Sequence, residues 1–91
     1  MNKDRRKAID ALIAELEGLQ SQIEDVRSQC EDIRSEEEEY RDNMPENMQG
    51  SDKYSAAEEA CSELDSAESE LSSAADSLGN VIANLENAKG Q

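Results

Sequence analysis

The sequence predicts an all-α fold in which a single domain forms a two-helix antiparallel coiled-coil hairpin that self-associates into a four-helix bundle or higher oligomer. Three observations support this prediction. Apolar residues recur at alternating spacings of three and four along most of the chain, which is the pattern of a helical seam. The single proline interrupts that pattern near the middle. Two tyrosines are the only aromatic residues, which argues against a layered core built on aromatic side chains.

The first helix is predicted over residues 3–42. Its a and d heptad positions hold Ile9, Leu12, Leu16, Leu19, Ile23, Val26, Cys30, Ile33, Glu37 and Tyr40. One helix cannot bury its own apolar stripe, so the pattern requires a partner helix. Glu37 departs from the stripe, and two interpretations stay open: a hydrated seam near the hinge, or a hydrogen bond to Tyr54.

A hinge is predicted over residues 43–51. Pro45 cannot extend a helix, and it disfavours helical geometry at the residue before it. Asn43 can cap a short helical turn after Pro45, and Gly50 can close that turn in a left-handed conformation. The segment alternates polar and apolar residues at an exposed tip, so it is either a turn that caps two helices or a partner-binding site.

The second helix is predicted over residues 52–88. Ser51 or Asp52 is expected to cap it, and the alternative is a start a few residues later at a capping box formed by Ser55 and Glu58. A repeat of seven places two rows on it: Leu64, Leu71, Leu78 and Leu85 in one, and Ala67, Ala74, Val81 and Ala88 in the other. These rows provide the seam that the first helix requires.

Antiparallel folding about the hinge fixes which residues face each other. Ile33 is expected to lie opposite Leu64, and Cys30 opposite Ala67 rather than Cys61. The two cysteines are therefore expected to stay reduced, which is usual for a cytosolic protein.

The net charge of −14 restricts the class of partner. The first seven residues carry a local charge of +3, so the rest of the chain holds −17. Such a chain is not expected to bind nucleic acid or an anionic membrane directly, because both are recognised by cations. A protein with a basic surface is the expected partner, and solubility is the alternative explanation of the charge.

Several activities are not expected. The chain has no histidine, neither cysteine has an activating neighbour, and a hairpin offers no cleft, so we predict no enzyme activity, no metal and no cofactor. No stretch has the apolar length of a membrane span, and no signal peptide is recognised, which predicts a cytoplasmic location.

Three groups of residues are candidates for interactions. The proposed partner-binding residues are Glu36, Glu38, Glu39, Asn43, Pro45, Glu46 and Asn47. Three arginines recur every seven residues beside the seam: Arg27, Arg34 and Arg41. They are expected to form flanking ion pairs, Arg27 with Glu68 and Arg34 with Glu59 or Glu63. The alternative is a site for an anionic ligand in an oligomer. The proposed self-association residues are Ile13, Ala75 and Ile82, because apolar side chains exceed the seam at the end far from the hinge.

The acidic stretch Ile33–Tyr40 followed by the hinge motif Asn43-Met44-Pro45-Glu46-Asn47-Met48-Gln49-Gly50-Ser51 resembles a group of small acidic helical-hairpin proteins of bacteriophages and prophages. The resemblance covers roughly residues 31–88. It implies expression in the cytoplasm of a bacterial host and carries no activity. It therefore favours a small protein that inhibits or sequesters a host defence or regulatory factor through its acidic helical surface. A structural or assembly protein and an oligomeric sponge for an anionic small ligand are the alternatives.

Overall fold

The computed structural model describes residues 1–91 and contains two long helices. Helix α1 spans Lys3–Asp42 and helix α2 spans Asp52–Lys89, with a single 3-10 turn at Glu46–Met48 between them. The two helices pack against each other in opposite directions and form a rod of 70 × 15 × 13 Å. The prediction of an all-α helical hairpin is confirmed.

The ends of the helices are held by side chains that the sequence offers for this purpose. The Asn2 side chain accepts a hydrogen bond from the backbone N–H of Arg5 at the start of α1. The Ser51 hydroxyl accepts one from the backbone N–H of Tyr54 at the start of α2. Of the predicted starts of the second helix, Ser51 is thus confirmed as the cap. Capping satisfies N–H groups that have no partner inside the helix.

The hinge differs from prediction in two respects. Asn43 ends α1 and donates its backbone N–H to Glu39, whereas the short turn begins after Pro45 without a side-chain cap. The prediction that Gly50 adopts a left-handed conformation is wrong, because no glycine has a positive φ. The turn closes instead through the backbone N–H of Ser51, which donates to the carbonyl of Met48.

Polar contacts between the helices show their register. The Cys30 thiol donates to the carbonyl of Leu64 at 3.6 Å. The Gln20 amide nitrogen donates to the carbonyl of Ala75 at 3.1 Å. These pairs lie within a few residues of the predicted pairing, and Cys30 and Cys61 are both free thiols.

The face of α1 that packs on α2 differs from the predicted a and d rows. The packed side chains belong to the a and e rows and are all buried or half-buried: Ile9, Ile13, Leu16, Gln20, Ile23, Arg27, Cys30, Arg34, Glu37 and Arg41. The apolar d row is 44–54 % exposed: Leu12, Leu19, Val26, Ile33 and Tyr40. Each helix can turn only one pair of adjacent rows toward a single partner, and here that pair leaves the d row uncovered.

Helix α2 is rotated in the corresponding way. The leucine row packs as predicted, but its companion row consists of Tyr54, Cys61, Glu68, Ala75, Ile82 and Lys89. The predicted companion row lies at the edge of the interface, where Ala74 and Val81 are exposed. The intrachain interface therefore contains more polar residues than the sequence pattern suggests.

Gly18 lies on the exposed side of α1, and a methyl group placed there would meet no other atom within 4 Å. We expect Gly18→Ala to raise the free energy of unfolding by about 0.5–1 kcal/mol, because alanine loses less backbone entropy than glycine in a helix. Urea unfolding followed by circular dichroism measures the gain. Gly79→Ala is the comparison: its methyl group would stand 3.3 Å from the Gln20 amide, so a smaller gain is expected. Equal gains would contradict the close approach at Gly79.

Candidate functional site

One long side of the hairpin is apolar, and we call it the apolar face. In a heptad, the d row lies about 60° to one side of the a row and the b row about 100° to the other. Antiparallel pairing puts the equivalent rows of both helices on the same side of the hairpin. The apolar face therefore combines Leu12, Leu19, Val26, Ile33 and Tyr40 of α1 with Ala60, Ala67, Ala74, Val81 and Ala88 of α2.

The opposite side is acidic. After Lys3 at its start, the b row of α1 consists of five acidic residues: Asp10, Glu17, Glu24, Glu31 and Glu38. A shallow groove between the helices lies on this side, and its lining includes Glu17, Glu24, Asp25 and Asp76. The groove forms where Gly79 has no side chain and Gln20 spans to α2. Its lining is polar, with Ala75 as the one apolar residue.

The three arginines beside the seam all form ion pairs within the chain. Arg27 pairs with Glu24 at 3.1 Å and with Glu31 at 3.5 Å, both on its own helix. Arg34 joins the helices, pairing with Glu68 of α2 and with Glu38 at 2.5 Å. The hydrogen bonds that Arg34 donates to Glu68 and, next in importance, to Glu38 raise the pKa of its guanidinium. Arg41 pairs with Asp42.

These pairings decide part of the prediction for the arginines. The interpretation as ion pairs between the two helices is confirmed for Arg34 alone, since Arg27 and Arg41 pair only within α1. The predicted partners were wrong, because Glu68 binds Arg34 rather than Arg27, and Arg34 does not pair with Glu59 or Glu63. An anionic ligand would have to compete with these carboxylates. The ligand site stays a prediction.

Charge is distributed unevenly along the rod. Residues 26–69, which we call the hinge-proximal half, hold 14 acidic and 4 basic residues, a net charge of −10. The remainder of the chain holds 9 acidic and 5 basic residues, a net charge of −4. Of the acidic residues in the hinge-proximal half, only Glu31, Glu38, Asp42 and Glu68 form ion pairs. The negative charge that is free to meet a partner is therefore concentrated toward the hinge.

The predicted partner-binding residues fall into two groups. Asn43, Pro45, Glu46 and Asn47 are exposed and lie together at the tip of the hairpin. The glutamates diverge: Glu36 and Glu39 are exposed, whereas Glu38 is half-buried on the acidic side and bonded to Arg34. The structure thus brings the hinge residues together but separates the three glutamates around α1. Glu37 is half-buried and makes no hydrogen bond to Tyr54, which favours the hydrated seam.

The predicted self-association residues lie inside the hairpin. Ile13 is only 6 % exposed, and Ala75 and Ile82 are half-buried in the same intrachain interface. A second chain can contact Ile13 only if α1 and α2 separate. The uncovered apolar residues are those of the d row, which the sequence pattern assigns to the seam. The sequence indicates that some apolar residues stay uncovered, because α1 has more apolar rows than one partner helix can cover.

The thiols are placed to be unequal in reactivity. Cys61 is buried, and desolvation raises the pKa of its thiol despite the opposing charge of Arg41. Cys30 is half-buried. Because the thiolate is the reactive form, we expect a thiol reagent at pH 8 to modify Cys30 at least about tenfold faster than Cys61. Rates measured on Cys30→Ala and Cys61→Ala separate the two sites, and equal rates before unfolding would contradict the burial of Cys61.

No set of His, Cys, Asp and Glu side chains is arranged to hold a metal ion, and no helix is apolar over enough of its length to cross a membrane.

A search for similar proteins found no match among family models, curated proteins or solved structures.

Proposed function

We propose that this chain is a non-catalytic binding protein that occupies the cationic surface of another protein and so inhibits or sequesters it. The observation that carries the proposal is the net charge of −10 on the hinge-proximal half, most of it outside ion pairs. Clusters of unpaired charge attract an oppositely charged surface and accelerate its association. The resemblance to phage proteins supports a bacterial host factor, of defence or regulation, as the target class.

The hinge is the part of this half that offers shape as well as charge. Glu46 and Asn47 are exposed at the tip, next to Pro45, which restricts the backbone. A restricted loop loses less entropy on binding than a mobile one. We therefore propose the tip, with Glu36 and Glu39 on the adjoining turns of α1, as the contact surface.

Binding to purified cationic DNA-binding proteins of a bacterial host, with DNA as competitor, tests the proposal. We expect at least one to bind at low salt, to be displaced from DNA, and to lose affinity as salt increases. The triple variant Glu36→Gln, Glu39→Gln and Glu46→Gln should weaken that binding roughly tenfold, as expected for three exposed charge contacts.

A matched control neutralises three exposed acids away from the hinge: Glu15→Gln, Glu17→Gln and Glu70→Gln. Both triple variants change the net charge equally, so only a hinge-directed contact distinguishes them. Equal weakening by the two variants would reduce the interaction to non-specific attraction. No binding at low salt to any cationic protein would end the proposal.

A structural or assembly role is a second candidate, and the apolar face is the observation that favours it. Exposed apolar stripes of this length generally mark an interface. The role of sponge for an anionic ligand remains a prediction, and it requires the ligand to displace the carboxylates from Arg27 and Arg34. Thermal shifts across a panel of nucleotides test that role, and unchanged melting temperatures throughout would remove it.

A further inference from the structure

We propose that a second copy of the chain covers the apolar face, in antiparallel orientation, and completes a four-helix bundle. The hinge of each copy then lies beside the open end of the other, where the two helix termini meet. This contact does not depend on the proposed function, because the hinge tip lies outside the apolar face.

The pattern of burial along α1 and α2 fits a second layer of helices. A helix in a four-helix bundle has two neighbours, so it needs apolar rows on two adjoining faces. In α1, the a and e rows face α2. The d row begins with the charged Arg5, and its other five residues are apolar or aromatic yet have no partner. In α2, the side chains of the row from Ala60 to Ala88 are small, so a second layer of helices can approach closely. The uncovered rows are those that a second layer requires.

The core between α1 and α2 of a single chain is small. Only Ile13, Met44, Ala57 and Cys61 are buried in the single chain. Small domains bury too little apolar surface to be stable unless something else is added, and association is a common remedy. Covering the exposed d row would add five large side chains to the core.

The apolar face has the size and shape of a stable protein interface. The face is as long as the rod and as wide as two helices, so the dimensions of 70 × 15 Å correspond to roughly 1,000 Å² on each copy. A stable protein interface needs about 800 Å² per partner. The occupant must present an apolar stripe of the same length, and a second copy of this chain carries one.

Charge decides the orientation. A parallel dimer would place one hinge-proximal half, at −10, beside another. The antiparallel dimer places −10 beside −4, and it brings the open end, which includes Lys3, Arg5 and Arg6, to the acidic hinge-proximal half of the partner. Packed helices lie about 10 Å apart, close to the distance over which salt screens charges, so these differences affect assembly.

Sedimentation equilibrium measures the mass of the assembly. We expect the unmodified chain to show twice its 10.0 kDa or a larger even multiple at about 50 µM, and the double variant Leu19→Glu, Ile33→Glu to sediment as a monomer. The matched control is Ser21→Glu, Ser35→Glu, which adds the same charge at exposed positions on the other side of α1 and should leave the mass unchanged. A monomeric unmodified chain, an odd-numbered assembly, or a mass that the double variant does not change overturns the proposal.

A milder variant guards against simple unfolding. Leu19→Ala, Ile33→Ala should weaken association at least tenfold while helicity at high protein concentration is preserved. Unchanged association would also overturn the proposal.

Fluorescence energy transfer tests the orientation. In a background with Cys30→Ala and Cys61→Ala, one fluorophore is attached through Asn47→Cys at the hinge or Asn87→Cys near the open end. Transfer should be weak between two hinge-labelled copies, which stand about a rod length of 70 Å apart. It should be strong between a hinge-labelled and an open-end-labelled copy. The reverse result overturns the antiparallel arrangement.

Discussion

Ile13→Ala is expected to lower the free energy of unfolding by about 2–4 kcal/mol, the usual cost of truncating a buried isoleucine to alanine. Ile13 is the buried isoleucine of the intrachain interface, at 6 % exposure, and it is one of only four buried residues. Few other side chains can compensate for its loss. Urea unfolding followed by circular dichroism, with variant and unmodified chain at the same concentration, measures the change.

Leu12→Ala provides the contrast, because the adjacent residue is 48 % exposed in the single chain. Its cost should fall as the protein is diluted, since a side chain buried only by a second copy contributes only in the assembled state. The cost of Ile13→Ala should be present at every concentration. A larger cost for Leu12 than for Ile13 in dilute protein would show that α1 turns its d row, and not its e row, toward α2.

The contrast between Leu12 and Ile13 separates what the sequence predicts from what it does not. Both helices, the hinge at Pro45 and the antiparallel register follow from local chemistry: heptad spacing, one helix-breaking residue and a capping serine at position 51. These features depend on residues close together in sequence. They can therefore be predicted without knowing what packs on what.

The rotation of each helix about its own axis is a different kind of information. The a, d and e rows of α1 lie next to one another, and the apolar residues of the a and d rows indicate only that both rows become buried in some context. The heptad pattern does not indicate whether each row is covered by a helix of the same chain or of another chain. The e row misleads further, because Arg27 and Arg34 look like solvent-facing residues yet lie half-buried along the interface.

The candidate site was predicted in part for the same reason. The exposed residues of the hinge follow from chain direction alone, since a loop at the end of a rod has to be exposed. Whether Glu38 and Ile13 are exposed or buried depends on the rotation of α1 about its axis. The first pairs with Arg34 and the second is buried against α2.

Near the hinge, the interface between α1 and α2 contains charged side chains of α1 opposite small side chains of α2. Near the hinge, α1 contributes Glu37 and Arg41 to the packed face, and both are half-buried. Helix α2 contributes Ala57 and Cys61, which are buried. Small side chains leave room for the stems of the charged residues, whose heads can then reach water. Ala57 is only 2 % exposed, so a larger side chain at this position would extend into the interface and not into water.

Ala57→Leu should therefore destabilise the hairpin by about 1–3 kcal/mol, because the larger side chain has to displace either a charged stem or the backbone of α1. The matched control is Ala56→Leu at the adjacent exposed position, where a change within about 0.5 kcal/mol is expected. Leucine and alanine are both good helix formers, so a difference between the variants reports packing and not helix propensity. Urea unfolding of the two variants measures it.

The site of the damage can be checked through Cys61, which lies one helical turn from Ala57. If the larger residue forces α1 and α2 apart near the hinge, the Cys61 thiol should react with a thiol reagent faster in Ala57→Leu than in Ala56→Leu, and Cys30, farther along the rod, should keep its rate. Destabilisation without that local change would place the strain elsewhere. A leucine tolerated at position 57 with Cys61 still protected would contradict the close packing of the hinge end that the burial of Ala57 and Cys61 indicates.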